Sequence, residues 1–270
     1  MSVGKTLAFH SYKGGTGKTT LVSNLAATFA MMGMRVCLLD FDLYAPSLTA
    51  YFRKTPELFL NDVLAGDAKI IDVLVDVSSE LGLKGKLFLG FSSPKKGDIY
   101  EIEILHDMNW QYAAIRRFLA AKKELFSEYN IDYVFLDTSP GIRYWSLNTI
   151  ATADFLFLLM KISDMDIIGT KRMIKDIYES LTELGSKYFI ILNKVPGASP
   201  IHEFHEKEAK ERMLWETEVK KDIGADVIGS IPCFCDIQFD KHEFLCAINQ
   251  PRHQFSRRLL EIANKIKEMG

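Results

Sequence analysis

The stretch His10-Ser11-Tyr12-Lys13-Gly14-Gly15-Thr16-Gly17-Lys18-Thr19-Thr20 decides the fold, because an apolar run from Lys5 to Ser11 leads into it and a helix-forming run from Thr19 to Met32 leaves it. Strand, glycine-rich turn and helix in that order are the context of a phosphate-binding loop. Glycines at 14, 15 and 17 let successive backbone N–H groups turn inward without Cβ clashes. The loop then delivers an anion to a helix N-terminus, where the macrodipole favours it. Lys18 supplies a point charge, and Thr19 places a hydroxyl where magnesium would sit between terminal phosphates. The expected binding residues are therefore Gly14, Gly15, Thr16, Gly17, Lys18, Thr19 and Thr20. A plain glycine turn with two surface lysines is the blander reading, and it leaves the Lys-Thr at this offset unexplained.

The first glycine of the usual GxxxxGK pattern would fall at 12, where this chain has Tyr12, and a second lysine, Lys13, opens the glycine run. That order resembles the deviant Walker A box of the ParA and MinD ATPases, which is shared with Mrp, arsenical-pump and nitrogenase-reductase relatives. The resemblance implies one P-loop ATPase domain over residues 1–270, a doubly wound, mostly parallel sheet with helices on both faces. Residues 92–108 and 196–222 are read as variable excursions from it. ATP and Mg2+ are the implied cofactors. Two subunits would close face to face over two ATP molecules, each inserting Lys13 toward the other's phosphates, and hydrolysis, slow until an activating partner acts, would separate them.

Composition bounds the alternatives. The chain has 270 residues, 48% of them hydrophobic, enough to bury a substantial core. A net charge of −2 gives no bulk field toward nucleic acid or anionic lipid, so such binding needs a local patch. Four cysteines, Cys37, Cys233, Cys235 and Cys246, suit a reducing compartment, hence the cytoplasm, better than a disulfide scaffold. No signal peptide is read before the first strand, and the longest apolar runs are too short to span a bilayer.

Along the chain, Arg35 to Asp40 reads as a buried parallel strand ending on Asp40-Phe41-Asp42-Leu43-Tyr44-Ala45-Pro46-Ser47. Period-two spacing turns both carboxylates to one side. The stretch resembles the switch I motif of the same family, which implies Asp42 as the residue that positions the attacking water and Asp40 as the one that holds water around magnesium. A pair of acids capping a following helix is the alternative. Ile131 to Asp137 is a strand closing on Asp137-Thr138-Ser139-Pro140-Gly141, which resembles switch II. There Asp137 would reach magnesium through water, and Gly141 would offer its N–H to the γ-phosphate.

Further strands are read at Lys86 to Phe91, Asp154 to Met160, Lys187 to Asn193 and Asp226 to Ile231. Helices are read at Glu57 to Ala65, Trp110 to Tyr129 (Tyr112, Ile115, Leu119 and Phe126 inward), Met165 to Leu184 and Ile201 to Ile223. Lys95, Lys96 and Gly97 look like a turn, and Tyr100 to Leu105 like an edge strand or a loop. In relatives an asparagine at the position of Asn193 reads the adenine, and Ile231-Pro232 resembles the loop that closes over the base. His202 and His205 miss the i, i+4 zinc spacing and read as surface residues. Cys233 and Cys235 read as small buried thiols, or as half of a metal site completed by a second chain. Phe255 to Met269 is an amphipathic helix, read as packed on the sheet rather than inserted in a membrane. Arg252, Arg257 and Arg258 could touch DNA phosphates or simply coat a solvated face.

Three functions follow: an ATP-driven dimerisation switch for positioning or partitioning cargo, a metallocluster or nickel-insertion ATPase, and a nucleotide-dependent adaptor with little hydrolysis.

Overall fold

In a computed structural model, which describes residues 4–100, 108–183, 185–196 and 205–269, an eight-stranded sheet has the order β3-β4-β2-β5-β1-β6-β7-β8. The strands are β1 (Lys5–His10), β2 (Arg35–Phe41), β3 (Leu74–Asp76), β4 (Lys86–Gly90), β5 (Tyr133–Thr138), β6 (Phe155–Met160), β7 (Lys187–Val195) and β8 (Val227–Pro232). All neighbours are parallel except β3 with β4. Strands covered on both faces need no alternation, and β6 (FLFLLM) is buried at every position.

One face is covered by α1 (Lys18–Met31) and α12 (Gln254–Met269), whose Leu21, Leu25 and Phe29 meet Leu259, Ile262 and Ile266 in one apolar cluster. The apolar stripe expected on the C-terminal helix is thus packed on the sheet: Phe255, Leu259, Ile262, Ala263 and Ile266 are all buried. The opposite face carries α3 (Leu60–Ala65), α5 (Met108–Ser127), α6 (Tyr144–Ile150) and α7 (Asp164–Met173). The α7 helix runs on through a π-helical turn, Ile174–Tyr178, into α8 (Glu179–Glu183). The helix α9 (His205–Ile223) flanks the edge strand β8. At that edge the β7–β8 register slips, Ile228 has no Cα partner, and Lys265 Nζ donates to its carbonyl at 2.7 Å.

Several sequence expectations are corrected. The stretch read as a turn at 95–97 enters a short helix, α4 (Lys96–Tyr100), and residues 101–105 of the suggested edge strand lie outside the described residues, as do His202 and the start of the 201–223 helix. The strand β3 and the helix α2 (Leu48–Phe52) had no strong periodic signal. On α5 the inward stripe is Ala114, Phe118, Ala121 and Leu125, whereas Tyr112 and Leu119 face solvent. Alanine permits close approach to the sheet there, while the expected Ile115 and Phe126 pack at the margin of the same core. Its outward cations are also partly engaged: Arg117 donates to Leu64 O at 2.8 Å and Lys122 to Thr152 O at 2.5 Å.

Candidate nucleotide site

Two ends of one crevice lie at the carboxyl ends of the central strands, where parallel α/β sheets place their ligands. The phosphate end is a cavity of about 210 Å³ lined by residues 14–20 together with Ser11, Asp42 and Pro140. Gly17 takes a left-handed conformation (φ 83°) that turns the loop into α1, and no side chain caps the helix there. The first-turn N–H groups are therefore left to an external anion.

Behind that turn, four ionisable side chains converge. Lys18, 6% exposed, forms an ion pair with the fully buried Asp137, and Asp40 and Asp42 are also buried. Burial, together with the charges of Asp137 and Asp42, raises the Asp40 carboxyl well above its ordinary value. Burial raises Asp137 as well, against the pull of Lys18. Asp40 accepts the Asp42 N–H at 3.0 Å and those of Ser47 and Leu48 at 3.3 Å, so it does anchor the start of α2. Asp42 Oδ1 accepts from Ala45 N at 3.2 Å and from Ser139 Oγ at 2.6 Å, which ties the first switch segment to the second. Ser139 was not singled out in the sequence, since nothing in its local pattern signals that contact.

Lys13 stands apart from this cluster. Its Nζ lies 3.3 Å from Met165 Sδ and 6.0 Å from the Tyr12 ring centroid, beside α7. Tyr12 packs on that helix at Gly169, where an added Cβ would come within 2.1 Å of the ring. The residue that replaces the usual loop glycine thus packs the loop onto α7, and only glycine leaves room for it.

His10, also missed in the sequence, is fully buried beneath the loop. Thr138 Oγ1 spends its proton on Phe9 O at 2.8 Å, so His10 Nδ1 donates to that hydroxyl at 2.7 Å. Burial, with Lys18 nearby, lowers the imidazole pKa to about 3 and keeps the ring neutral. Gly141 is left-handed (φ 75°), with its N–H bonded to Ser11 O at 2.9 Å.

The base end is a separate cavity of about 160 Å³ that includes Gly17, Thr20, Asn193, Pro232, Phe234 and Phe255. Asn193 Nδ2 donates to Thr16 O at 2.7 Å, tying the end of β7 to the phosphate loop. Lys194, itself left-handed (φ 56°), adds a bond from Nζ to Gly15 O at 3.2 Å. Cys233 lines this cavity with Sγ 3.2 Å from Gln238 Oε1, and Cys235 is exposed.

Comparison with known proteins agrees with this geometry. The AAA domain family (AAA_31) matches residues 4–188. The chromosome-partitioning ATPase Soj of Treponema pallidum is 26% identical over 177 residues, which covers 65% of this chain and 64% of Soj, less than two thirds of that relative. The chain belongs to the ParA/MinD family of P-loop ATPases. The cell division ATPase MinD of Pyrococcus furiosus superposes with a TM-score of 0.75 at 18% identity, over 99% of this chain and 100% of that one. MinD of Pyrococcus horikoshii, solved with Mg-ADP, gives 0.72 at 19%, over 98% and 96%. These likenesses show the ParA/MinD fold and bear out the doubly wound, mostly parallel sheet expected from the sequence.

The basic cluster at and just before the last helix is mixed in its engagement: Arg252 and Arg257 are exposed, and Arg258 pairs with Glu261 at 2.6 Å. Among the described residues no helix is long and apolar enough to cross a membrane.

Proposed function

We propose that this protein binds ATP with magnesium, hydrolyses it slowly in a homodimer until a partner stimulates it, and uses the cycle to position or partition cargo. The observation that carries the reading is the Lys18–Asp137 pair, flanked by buried Asp40 and Asp42, at the uncapped start of α1. The relatives named for chromosome partitioning and cell division support the role. All described residues of the sheet fit a single ATPase domain.

Magnesium suits this set. Asp137 Oδ2 is fully buried without a hydrogen-bond partner, the Thr19 hydroxyl is close by, and the other donors are the carboxylate oxygens of Asp40. Hard oxygen donors of this kind match the ion. Bound there, the ion would neutralise charge on the terminal phosphates. The residues divide the remaining work. Gly14 to Thr20 and the start of α1 hold the phosphates through N–H groups, whereas the N–H that Gly141 was expected to offer is taken by Ser11 O. Lys18 exchanges Asp137 for phosphate oxygens, and Asp42, held by Ser139, orients the attacking water. Catalysis is then positioning plus electrostatics.

Lys13 acts in trans, a role supported by its place outside the phosphate cavity and against the face of α7. A cation delivered in trans to a phosphoryl transition state is worth about 10³ to 10⁵ in rate by analogy with arginine fingers. Lys13→Ala should bind ATP as a monomer and fail to hydrolyse it. Asp42→Ala should accumulate as an ATP-bound dimer with hydrolysis lowered by at least about 10². Mixing the two variants creates one composite site with Asp42 and Lys13 both intact. Phosphate release from the mixture above that of either variant is expected. Mixed dimers without such a gain would refute the trans role.

A further inference from the structure

The base-end cavity includes one carboxylate that no loop motif addresses. Glu243 reaches it from the chain between α10 (Cys235–Gln238) and α11 (Cys246–Asn249). Two neighbours fix where it stands. On one side is the Tyr51 hydroxyl of α2, which is 2.6 Å from Thr20 Oγ1 and has its pKa raised by burial and by the adjacent Glu243. On the other is Lys194, whose charge Glu243 faces and whose Nζ bonds Gly15 O.

Thr20 sits in the first turn of α1 and marks the phosphate end of this cavity, while Asn193 and Pro232 mark its base end. A nucleotide spanning the two places its sugar within this cavity, which Glu243 lines. An ionised carboxylate is an acceptor only, and the ribose 2′ and 3′ hydroxyls are donors that need one. Dinucleotide folds use an acidic side chain in the same chemical role.

We propose that Glu243 accepts a hydrogen bond from the ribose hydroxyls of the bound nucleotide, so that the pocket favours nucleotides that carry these hydroxyls over those that lack them. The inference rests on the nucleotide-binding reading above and adds a selecting residue to it. The test is a binding cycle by calorimetry on nucleotide-free protein, with ATP and 2′,3′-dideoxy-ATP as ligands and wild type and Glu243→Ala as proteins. Wild type is expected to prefer ATP by about tenfold or more, the scale of one charge-assisted hydrogen bond. Glu243→Ala is expected to lose that preference by weakening ATP alone, with the dideoxy ligand unchanged. The singly deoxygenated 2′ and 3′ analogues then assign the hydroxyl. Equal binding of both ligands by wild type overturns the proposal. So does a variant that weakens both equally, since Glu243 would then act by holding Tyr51 and its own loop in place. Failure of wild type to bind either ligand would instead remove the nucleotide reading itself.

Discussion

The phosphate end and the base end of this crevice are built on opposite principles. At the phosphate end the ionisable groups are buried together, Lys18 paired with Asp137 and Asp40 pushed toward its neutral form by burial and the neighbouring carboxylates, so the site is assembled before a ligand arrives. At the base end polar and apolar groups share the lining, the polar ones range from buried Asn193 to exposed Gln238 and Glu243, and they come from α1, the end of β7 and the chain after β8. The two are joined by Asn193, whose amide reaches back from β7 to the phosphate loop. Charge chemistry thus rests on one contiguous motif and its neighbouring strand tips, and recognition of base and sugar on long-range assembly.

Removing the cation should show this contrast most strongly. Lys18→Ala leaves Asp137 buried and unpaired, a defect that costs roughly 3 kcal/mol or more of folding stability, and it removes the main cation for phosphate. Urea unfolding and nucleotide titration should both register the loss.

Asn193→Ala tests whether the two ends are independent. Leaving the Thr16 carbonyl without its partner should cost about 1–3 kcal/mol. If the tie matters, affinity for inorganic triphosphate, which has no base to lose, falls together with affinity for ATP; unchanged triphosphate binding would separate the two ends.

The smallest effect concerns pH. Asp40 titrates above its unfolded value, so its contribution to stability is present at low pH and is lost as pH rises through the folded pKa. The stability of Asp40→Asn relative to wild type, measured without nucleotide by urea midpoints, should therefore increase as pH rises from acid through neutral. A difference that stays flat across the series would contradict the raised value.

These contrasts also explain what was legible in the sequence. Lys18, Thr19 and the glycines are read from a fixed offset, and Asp40, Asp42 and Asp137 from strand tips that fall in family order. Each is local information. Tyr51, Ser139 and Glu243 acquire their positions only when distant segments meet, and none carries a spacing that would flag it. The face of α5 was misread because Tyr112 and Leu119 outweigh Ala114 and Ala121 in any count of bulk, although close packing on a sheet favours the small residues. His10 was passed over because a histidine at the end of an apolar strand does not announce which neighbour fixes its tautomer.

The unpaired Ile228 carbonyl covered by Lys265 has a consequence for how copies of this chain meet. An edge strand with free carbonyls invites a strand from another molecule, and an ammonium placed on one of them blocks the ladder from extending. At the far edge β3 is only three residues long, with Asp76 held by Lys86 at 2.9 Å. Both margins are thus poor templates, so self-association by sheet extension, the route that ends in insoluble fibres, is disfavoured. Contacts between copies are left to the loops and helix faces.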